Sequence, residues 1–241
     1  MISADQDDHR PGDIAARLAE VQGRISSAAR QAGRAEGEVR LIAVSKGKPE
    51  EAIRAAYAAG QRDFGENYAQ ELAEKAARLS DLPGIVWHAI GQLQRNKAKV
   101  VAQVADVVHA VDRVELVTEL DRRAAAGGRV LRVLVEVNVG GEATKGGCTP
   151  EGVEAVLGAA QRCAHLRSVG LMAIAPYLED PAAVRPYFAA LRALRDRHGG
   201  AEVLPELSMG MSHDFEGAIA EGATWVRVGT AIFGSRSQGA Q

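Results

Sequence analysis

Short apolar runs alternate along this chain with longer segments in which apolar residues recur every three or four positions. The first such segment follows Asp13, a predicted N-cap, and carries Ile14, Leu18, Val21 and Ile25, a spacing typical of an amphipathic helix. Apolar runs of the kind that follow it are typical of strands buried on both faces of a parallel sheet. The eight predicted strands span residues 41–44, 63–64, 86–90, 107–111, 130–137, 168–174, 204–208 and 225–228.

Each predicted strand except the last precedes a clear helical segment. Such strict alternation favours a parallel sheet with helical crossovers. Eight units within about 200 residues predict a single (β/α)₈ TIM barrel, to which the segment from Asp13 adds an extra N-terminal helix. A doubly wound open sheet is the structural alternative. The barrel is favoured by the number of units, and because no G-x-G-x-x-G motif follows the first strand.

The predicted barrel occupies one uninterrupted stretch of the sequence. No linker or change in composition divides residues 13–236, so we expect one domain and no second one. Residues 1–12 predict a disordered N-terminal tail and residues 237–241 a flexible C-terminal tail. The polar N-terminus lacks the apolar segment of a signal peptide, and no run approaches the ~20 apolar residues of a membrane span. A cytoplasmic protein is therefore expected.

Composition and charge narrow the classes of function. Of 241 residues, 46% are hydrophobic and 25% are charged, as in ordinary globular proteins. The formal net charge of −2 gives no reason to expect nucleic acid or an anionic membrane as partner. The histidines lack metal-ligand spacing and only two cysteines are present, so no metal is expected. Walker A and G-x-S-x-G motifs are also absent from the sequence.

Lys46 is the most specific candidate for a residue that reacts with a ligand. In a TIM barrel the active site lies at the C-terminal ends of the strands, and Lys46 directly follows the first one. Partial desolvation in the barrel mouth would lower the pKa of its amine, and a free amine can form a Schiff base with a carbonyl compound or with pyridoxal phosphate. A solvated lysine just beyond a strand is the alternative. Lys48 is expected at the surface or near a phosphate.

The segments after strands seven and eight suggest a phosphate site. The run from Ser208 through Met209 to Ser212 contains one glycine and two serine hydroxyls, and Gly229 and Thr230 follow the last strand. TIM barrels often bind a phosphate at these two strands, where backbone N–H groups and helix N-termini favour an anion. Either segment alone is better explained by an ordinary cap or turn. The two together favour phosphate.

Three further polar residues fall at strand ends or within an apolar strand. Arg227 interrupts an apolar strand, and its buried guanidinium needs a partner. That partner is either a structural carboxylate such as Glu206 or a ring nitrogen of a bound cofactor. Asn67 and His88 are each as well explained by contacts between loops as by contact with a ligand.

Six motifs follow one another along the chain: Ala43–Pro49, Phe64–Tyr68, Trp87–Gly91 with Gln94–Lys97, Gly170–Ile174, Leu207–Ser212 and Val226–Gly234. In kind and in order they resemble the motifs of the pyridoxal phosphate homeostasis protein family, single-domain relatives of the alanine racemase barrel. The resemblance covers residues 13–236. The resemblance implies a fold-type III barrel that binds pyridoxal 5′-phosphate.

The resemblance also implies roles for single residues. Lys46 matches the lysine that forms the Schiff base with the cofactor, and Arg227 matches the arginine that faces the pyridine nitrogen. The groups implied around the phosphate and the rest of the cofactor are Ser212, Gly229 and Thr230, with Met209, Asn67 and His88 nearby. Lys145 and Lys48 are possible secondary residues. Gly47 departs from the family, because many members have threonine there, and this change loosens the loop beside Lys46.

The function implied by the resemblance is storage, buffering or delivery of pyridoxal phosphate without catalytic turnover. An arginine at the pyridine nitrogen weakens the cofactor as an electron sink. Apo-enzymes that use the cofactor are the implied recipients, and a monomer is the expected state. One alternative is a pyridoxal phosphate-dependent racemase of narrow specificity. Another is an aldolase that forms a Schiff base on Lys46 without the cofactor. An interaction module is a third, but it leaves Lys46, Arg227 and the phosphate segments unexplained.

Overall fold

The predicted barrel is present. The structure, a computed structural model, describes residues 11–142 and 145–234. Its strands run parallel and pair in sequence order to form a closed eight-stranded barrel. They are β1 (Arg40–Val44), β2 (Asp63–Glu66), β3 (Val86–Ala89), β4 (Val107–Val111), β5 (Leu131–Glu136), β6 (Leu166–Met172), β7 (Glu206–Met211) and β8 (Trp225–Val228).

The last strand closes the barrel against the first. Ile42 in β1 lies opposite Arg227 in β8, and Ala43 lies opposite Val228. A doubly wound sheet would leave two edge strands unpaired, so this pairing excludes the open-sheet alternative. The closure also places the loop after β1 beside the loop after β8.

Helices surround the barrel in the alternation that the sequence predicted. They are α1 (Pro11–Gln31), α2 (Glu50–Ala58), α3 (Ala69–Arg78), α4 (Ala98–Val104), α5 (Val114–Ala126), α6 (Val153–Gln161), α7 (Arg185–Arg197), α8 (Gly200–Val203), α9 (Phe215–Ala220) and α10 (Thr230–Phe233). None of the described helices has the length and apolar character needed to cross a membrane.

The additional N-terminal helix packs on the outside of the barrel, against α2, α9 and α10. Its buried face carries Ile14, Leu18, Val21 and Ile25, as predicted. The described part of this helix starts at Pro11, so Asp13 lies within it rather than at an N-cap, and positions 11 and 12, which the sequence assigned to the tail, are helical. The remaining residues of the predicted N-terminal tail (1–10) and the predicted tail 237–241 lie outside the described residues.

Side chains alternate between the barrel interior and the layer of helices. Ile42, Leu134, Met172 and Trp225 belong to the cluster inside the barrel, while alternate positions pack outward against the helices. Interior side chains of parallel barrels form stacked layers, and only the uppermost layer faces the mouth. The height of a residue along its strand therefore decides whether it can contact a ligand.

The seventh strand is longer than predicted. The sequence placed it at residues 204–208 and assigned 208–212 to a loop, but β7 continues to Met211. The register against β8 shifts between Ser208 and Met211, and Gly210 has a φ of +89°. A Cβ atom on Gly210 would lie 2.6 Å from the Cβ of Ala218, so only glycine fits this bend. The loop that reaches the mouth therefore begins at Ser212.

Candidate functional site at the barrel mouth

A cavity of about 280 Å³ opens at the C-terminal ends of the strands. It brings together six of the residues that the sequence singled out, and these come from the C-terminal ends of four different strands and the loops that follow them. They are Lys46, Asn67, Ser212, Arg227, Gly229 and Thr230. The rest of the lining is mostly apolar or aromatic, as is usual for a small-molecule site. Its members are Val44, Ile90, Ile174, Tyr177, Met211 and His213.

A buried ionic cluster holds the turn that carries Lys46. The Lys75 ammonium, on α3, donates to the carbonyl of Ser45 over 2.6 Å and to Oε1 of Glu66 and of Glu71, each over 2.7 Å. The Ser45 hydroxyl donates to the same Oε1 of Glu66 over 2.6 Å. The backbone N–H of Gly47 donates to Oε1 of Glu71 over 2.6 Å. The residues on both sides of Lys46 are therefore tied to this cluster.

The same cluster determines how firmly the turn at Gly47 is held. The sequence suggested that glycine loosens the turn, but its N–H is held by Glu71. Its φ of +67° lies in the left-handed region, which glycine adopts without steric cost. Burial raises the pKa of Glu66, while the neighbouring Lys75 ammonium lowers it. The Lys75 ammonium therefore offsets the repulsion between the neighbouring carboxylates of Glu66 and Glu71.

Ser212, Gly229 and Thr230 form a cradle of hydrogen-bond donors on one side of the cavity. The Gly229 N–H and the Thr230 hydroxyl both point to Oγ of Ser212, over 3.4 Å and 3.3 Å. A Cβ atom on Gly229 would lie 3.1 Å from the carbonyl oxygen of Val44, so the glycine permits close approach of the first and last strands. Asp214 fixes the Ser212 loop by accepting the N–H of Met211 over 2.6 Å.

Arg227 supplies a cation to the cavity from the uppermost layer of the barrel interior. It is only 4% exposed, and it donates from Nη1 to Oγ of Ser208 over 2.6 Å and from Nη2 to the carbonyl of Ala173 over 2.9 Å. Burial lowers the pKa of the guanidinium to about 10, so it stays charged at neutral pH. Glu206, the structural partner suggested by the sequence, instead binds Arg40 and Thr224.

Two predicted site residues do not reach the cavity. His88 points into the barrel interior, where its ring contacts His109 and Trp225. The cavity-facing position of this chain segment is Ile90, one inward position further along the chain. Met209 is fully buried and packs outward into the helix layer, because the bend at Gly210 keeps it within the strand rather than in a loop.

The two secondary lysines occupy structural positions near the mouth. Lys48 is buried and donates to the carbonyl of Phe233 over 2.9 Å, which joins the loop after β1 to α10. Lys145 pairs with Glu142 at 2.7 Å and donates to the carbonyl of Ala175 over 3.3 Å. Ala175 adjoins the cavity residue Ile174. Lys145 therefore lies beside the rim, and neither lysine is among the described residues that line the cavity.

Two aromatic side chains, Tyr177 and His213, form part of the cavity rim, and sequence patterns indicated them only weakly. Tyr177 and His213 follow β6 and β7, and their rings lie against each other with centroids 5.2 Å apart. The Tyr177 side chain is largely exposed, whereas Ile174 beside it is partly exposed. Their position after strand ends was visible in the sequence, but nothing in their residue types indicated that they face a ligand.

Glu136 is a buried carboxyl close to this site. It ends β5 and is 5% exposed, and its Oε2 has no hydrogen-bond partner among residues 11–142 and 145–234. Burial raises its pKa to about 7; Asp112 adds to the increase and Arg227 opposes it. Across the described residues, no group of three or more His, Cys, Asp or Glu side chains is arranged to hold a metal ion.

The closed barrel with Lys46, Arg227 and the hydroxyl cradle at its mouth has the features of the barrel class predicted from the motifs. Comparisons with known proteins agree with that class. The family model for the alanine racemase N-terminal domain matches residues 17–237, and this chain belongs to that family. Curated relatives that are similar to the chain over nearly its whole length carry the name pyridoxal phosphate homeostasis protein. The protein from Pseudomonas aeruginosa is 50% identical and the alignment covers 94% of this chain and 97% of the relative. The one from Aquifex aeolicus is 47% identical over 91% and 97%.

A solved structure also supports the family and the barrel fold. PipY of Synechococcus elongatus, described as a structure with PLP bound, is 40% identical and superimposes with a TM-score of 0.78. The alignment covers 92% of this chain and all of PipY. The family predicted from the motifs is therefore confirmed, together with the barrel.

We predict that Lys75→Met destabilises the protein by about 3–5 kcal/mol, because it leaves the buried Glu66 carboxylate and the half-buried Glu71 carboxylate without their shared counter-ion. Urea unfolding followed by circular dichroism measures the change. Arg54→Met is the matched control, since it removes a cation from an exposed pair with Asp81, and it should alter stability little. Equal losses in the two variants would contradict the role given to Lys75.

The raised pKa of Glu136 predicts that its contribution to the stability of the fold depends on pH. A folded-state pKa of about 7, above the ordinary 4.5, means that this carboxyl destabilises the fold increasingly as the pH rises from about 4.5 to 7. The penalty approaches about 3 kcal/mol above that window. Glu136→Gln should therefore raise the melting temperature at about pH 8 and not at about pH 4.5. Glu154→Gln, on the exposed face of α6, is the control; a gain for Glu136→Gln at both pH values would refute the assignment.

Proposed function

We propose that this chain binds pyridoxal 5′-phosphate in the mouth cavity and stores or delivers it without catalytic turnover. The observation that carries the proposal is the meeting of a lysine, a buried guanidinium and a hydroxyl-rich cradle in one cavity of about 280 Å³. The cofactor brings an aldehyde, an aromatic ring with a nitrogen and a phosphate. Each of these groups has a complementary partner in the lining.

Lys46 is the proposed covalent anchor. It is a cavity lysine at the end of a buried strand, and the buried cluster around Lys75 fixes the backbone on both sides of it. An amine held in place on a rigid element meets an aldehyde without a large loss of conformational entropy. Lys48 and Lys145 are engaged with carbonyl groups elsewhere.

The cradle of Ser212, Gly229 and Thr230 is the proposed phosphate site. Its hydroxyls and backbone N–H groups are ordinary phosphate donors, and the close approach at Gly229 leaves the backbone accessible. Arg227 is the proposed partner of the ring nitrogen, and Asn67 lines the cavity near Lys46. His88 and Met209 have no part in this proposal, because neither reaches the cavity.

Arg227 also supports the absence of turnover. A guanidinium that stays charged at neutral pH cannot accept a proton, so it faces the ring nitrogen as a donor and disfavours protonation there. An unprotonated ring withdraws electrons poorly, which weakens the carbanion chemistry of the cofactor. The names of the relatives point the same way, and the racemase alternative is not favoured.

We further propose that the protein acts in the cytoplasm as a monomer and passes the cofactor to apo-enzymes that require it. The wide mouth supports release, since Tyr177 at its rim is 75% exposed. The PLP-bound relative PipY supports the ligand.

A titration of purified protein with pyridoxal 5′-phosphate, followed by visible absorbance, tests the proposal. We predict a yellow protein that saturates at one equivalent, and a loss of affinity of about 100-fold in Lys46→Met. Lys99→Met is the matched control, because Lys99 is exposed on α4, and it should titrate like the unmodified protein. Retention of colour and affinity in Lys46→Met would contradict the anchor.

Turnover is tested separately by exchange of the α-proton of amino acids with solvent. We expect exchange by the loaded protein far below the turnover of ordinary enzymes, about 1–10³ per second. Exchange at an enzymatic rate, abolished by Lys46→Met, would favour the racemase alternative.

A further inference from the structure

A line of hydrogen-bonded side chains runs through the barrel interior beneath the cavity. Arg227 donates to Oγ of Ser208 over 2.6 Å, and Oγ of Ser208 lies 3.0 Å from Nδ1 of His109. Nε2 of His109 lies 2.9 Å from Nδ1 of His88, and Nε2 of His88 lies 2.9 Å from Oδ1 of Asp63. Since β4 and β7 are not neighbours in the barrel, the contact between His109 and Ser208 crosses its interior.

When both imidazoles are neutral, the two ends of this line fix the direction of every hydrogen bond. The Asp63 carboxylate can only accept, so the proton of His88 lies on Nε2 and its Nδ1 is an acceptor. His109 must then donate from Nε2, which leaves its Nδ1 to accept the proton of the Ser208 hydroxyl. The guanidinium can only donate, and it does so to the lone pair that remains on Ser208. One arrangement of protons satisfies all five groups.

Both imidazoles are neutral in this arrangement. His88 and His109 are fully buried, and burial lowers the pKa of each ring; for His109 the neighbouring His88 and Arg227 lower it further. A neutral ring with one donor and one acceptor transmits polarisation from a cation to an anion. Arg227 donates only to neutral groups in its two side-chain hydrogen bonds, to Ser208 and to the Ala173 carbonyl. The aligned dipoles of the chain therefore add to the field of Glu136 and Asp214, which favours the charged guanidinium.

We propose that Asp63, His88, His109 and Ser208 are positioning residues that orient the Arg227 guanidinium toward the mouth cavity through this ordered chain. The proposal rests on the proposed function, since it concerns how Arg227 meets the ring of the bound cofactor. None of the four touches the cavity. Asp63, at the start of β2, therefore acts on the site from the opposite end of the barrel.

The order of protons is tested first, without any cofactor. Long-range ¹H–¹⁵N spectra of the histidine side chains distinguish a protonated ring nitrogen from an unprotonated one. We expect His88 and His109 both to be neutral and protonated on Nε2 at neutral pH. A proton on Nδ1 of either residue, or on both nitrogens of one ring, would overturn the chain.

The coupling is tested second, by adding pyridoxal 5′-phosphate. We expect the ring signals of His109 and His88 to shift on binding, although neither touches the cavity. Ser208→Ala should abolish the shift of His88 and reduce affinity about tenfold, because it disconnects Arg227 from the imidazoles. Asp63→Asn, which keeps an acceptor but removes the charge, should weaken binding by a smaller factor.

Ser168→Ala is the matched control for Ser208→Ala. Ser168 lies on β6, and its buried hydroxyl has no hydrogen-bond partner among the described residues, so affinity and histidine shifts should match the unmodified protein. Equal affinity in Ser208→Ala and Ser168→Ala, with the His88 shift retained in both, would refute the coupling. A protein that stays colourless with the cofactor would count against the proposed function instead, since the first spectra need no cofactor.

Discussion

The pairing of β1 with β8 is the constraint on which the site depends. With Ala43 opposite Val228, the turn that carries Lys46 lies next to Gly229 and Thr230. An open sheet would leave these segments at opposite edges, and no cavity could contain both. The absence of a side chain at Gly229 permits this approach, since a Cβ there would lie 3.1 Å from the carbonyl of Val44. The pairing that closes the barrel therefore also brings the two sides of the site together.

The charges around the mouth are held by groups buried beneath or beside it. The cluster around Lys75 fixes the Lys46 turn, and the chain that ends at Asp63 fixes Arg227. In each case a cation depends on carboxylates or aligned dipoles, supplied for Lys75 by β2 and its own helix and for Arg227 by other strands. Such arrangements add little to stability, because burial of charge costs about as much as pairing returns. Their value lies in holding the functional groups in one orientation.

The alternation of apolar runs and helical segments made the architecture predictable, because the period of each segment is set by its own backbone. The position of Lys46, Asn67, Ser212, Arg227, Gly229 and Thr230 followed from one rule about strand ends. Met209 lies outside the cavity, because the bend at Gly210 extends the strand and is set by contact with α9. His88 lies one layer below the cavity, since the sequence shows which residues alternate but not where the mouth begins.

Other features lay beyond the sequence because they join distant elements. Lys75 has the spacing of a solvated lysine on an amphipathic helix, yet it is 7% exposed and bound to the end of β1. The partnership of His109 with Ser208 spans 99 positions. Oε2 of Glu136, which has no hydrogen-bond partner within the described part of the chain, is likewise a result of packing near the mouth. Pairings of this kind are fixed by tertiary structure, which local patterns do not contain.

The most direct test of the account is to reduce the loaded protein with borohydride and map the modified residue by mass spectrometry. Borohydride makes the bond between an amine and the cofactor permanent, so it records which lysine the cofactor joins. If Lys46 is the covalent anchor, a single label is expected, on the peptide that contains Lys46. Labelling of Lys48 or Lys145 in its place, or no label at all, would contradict it.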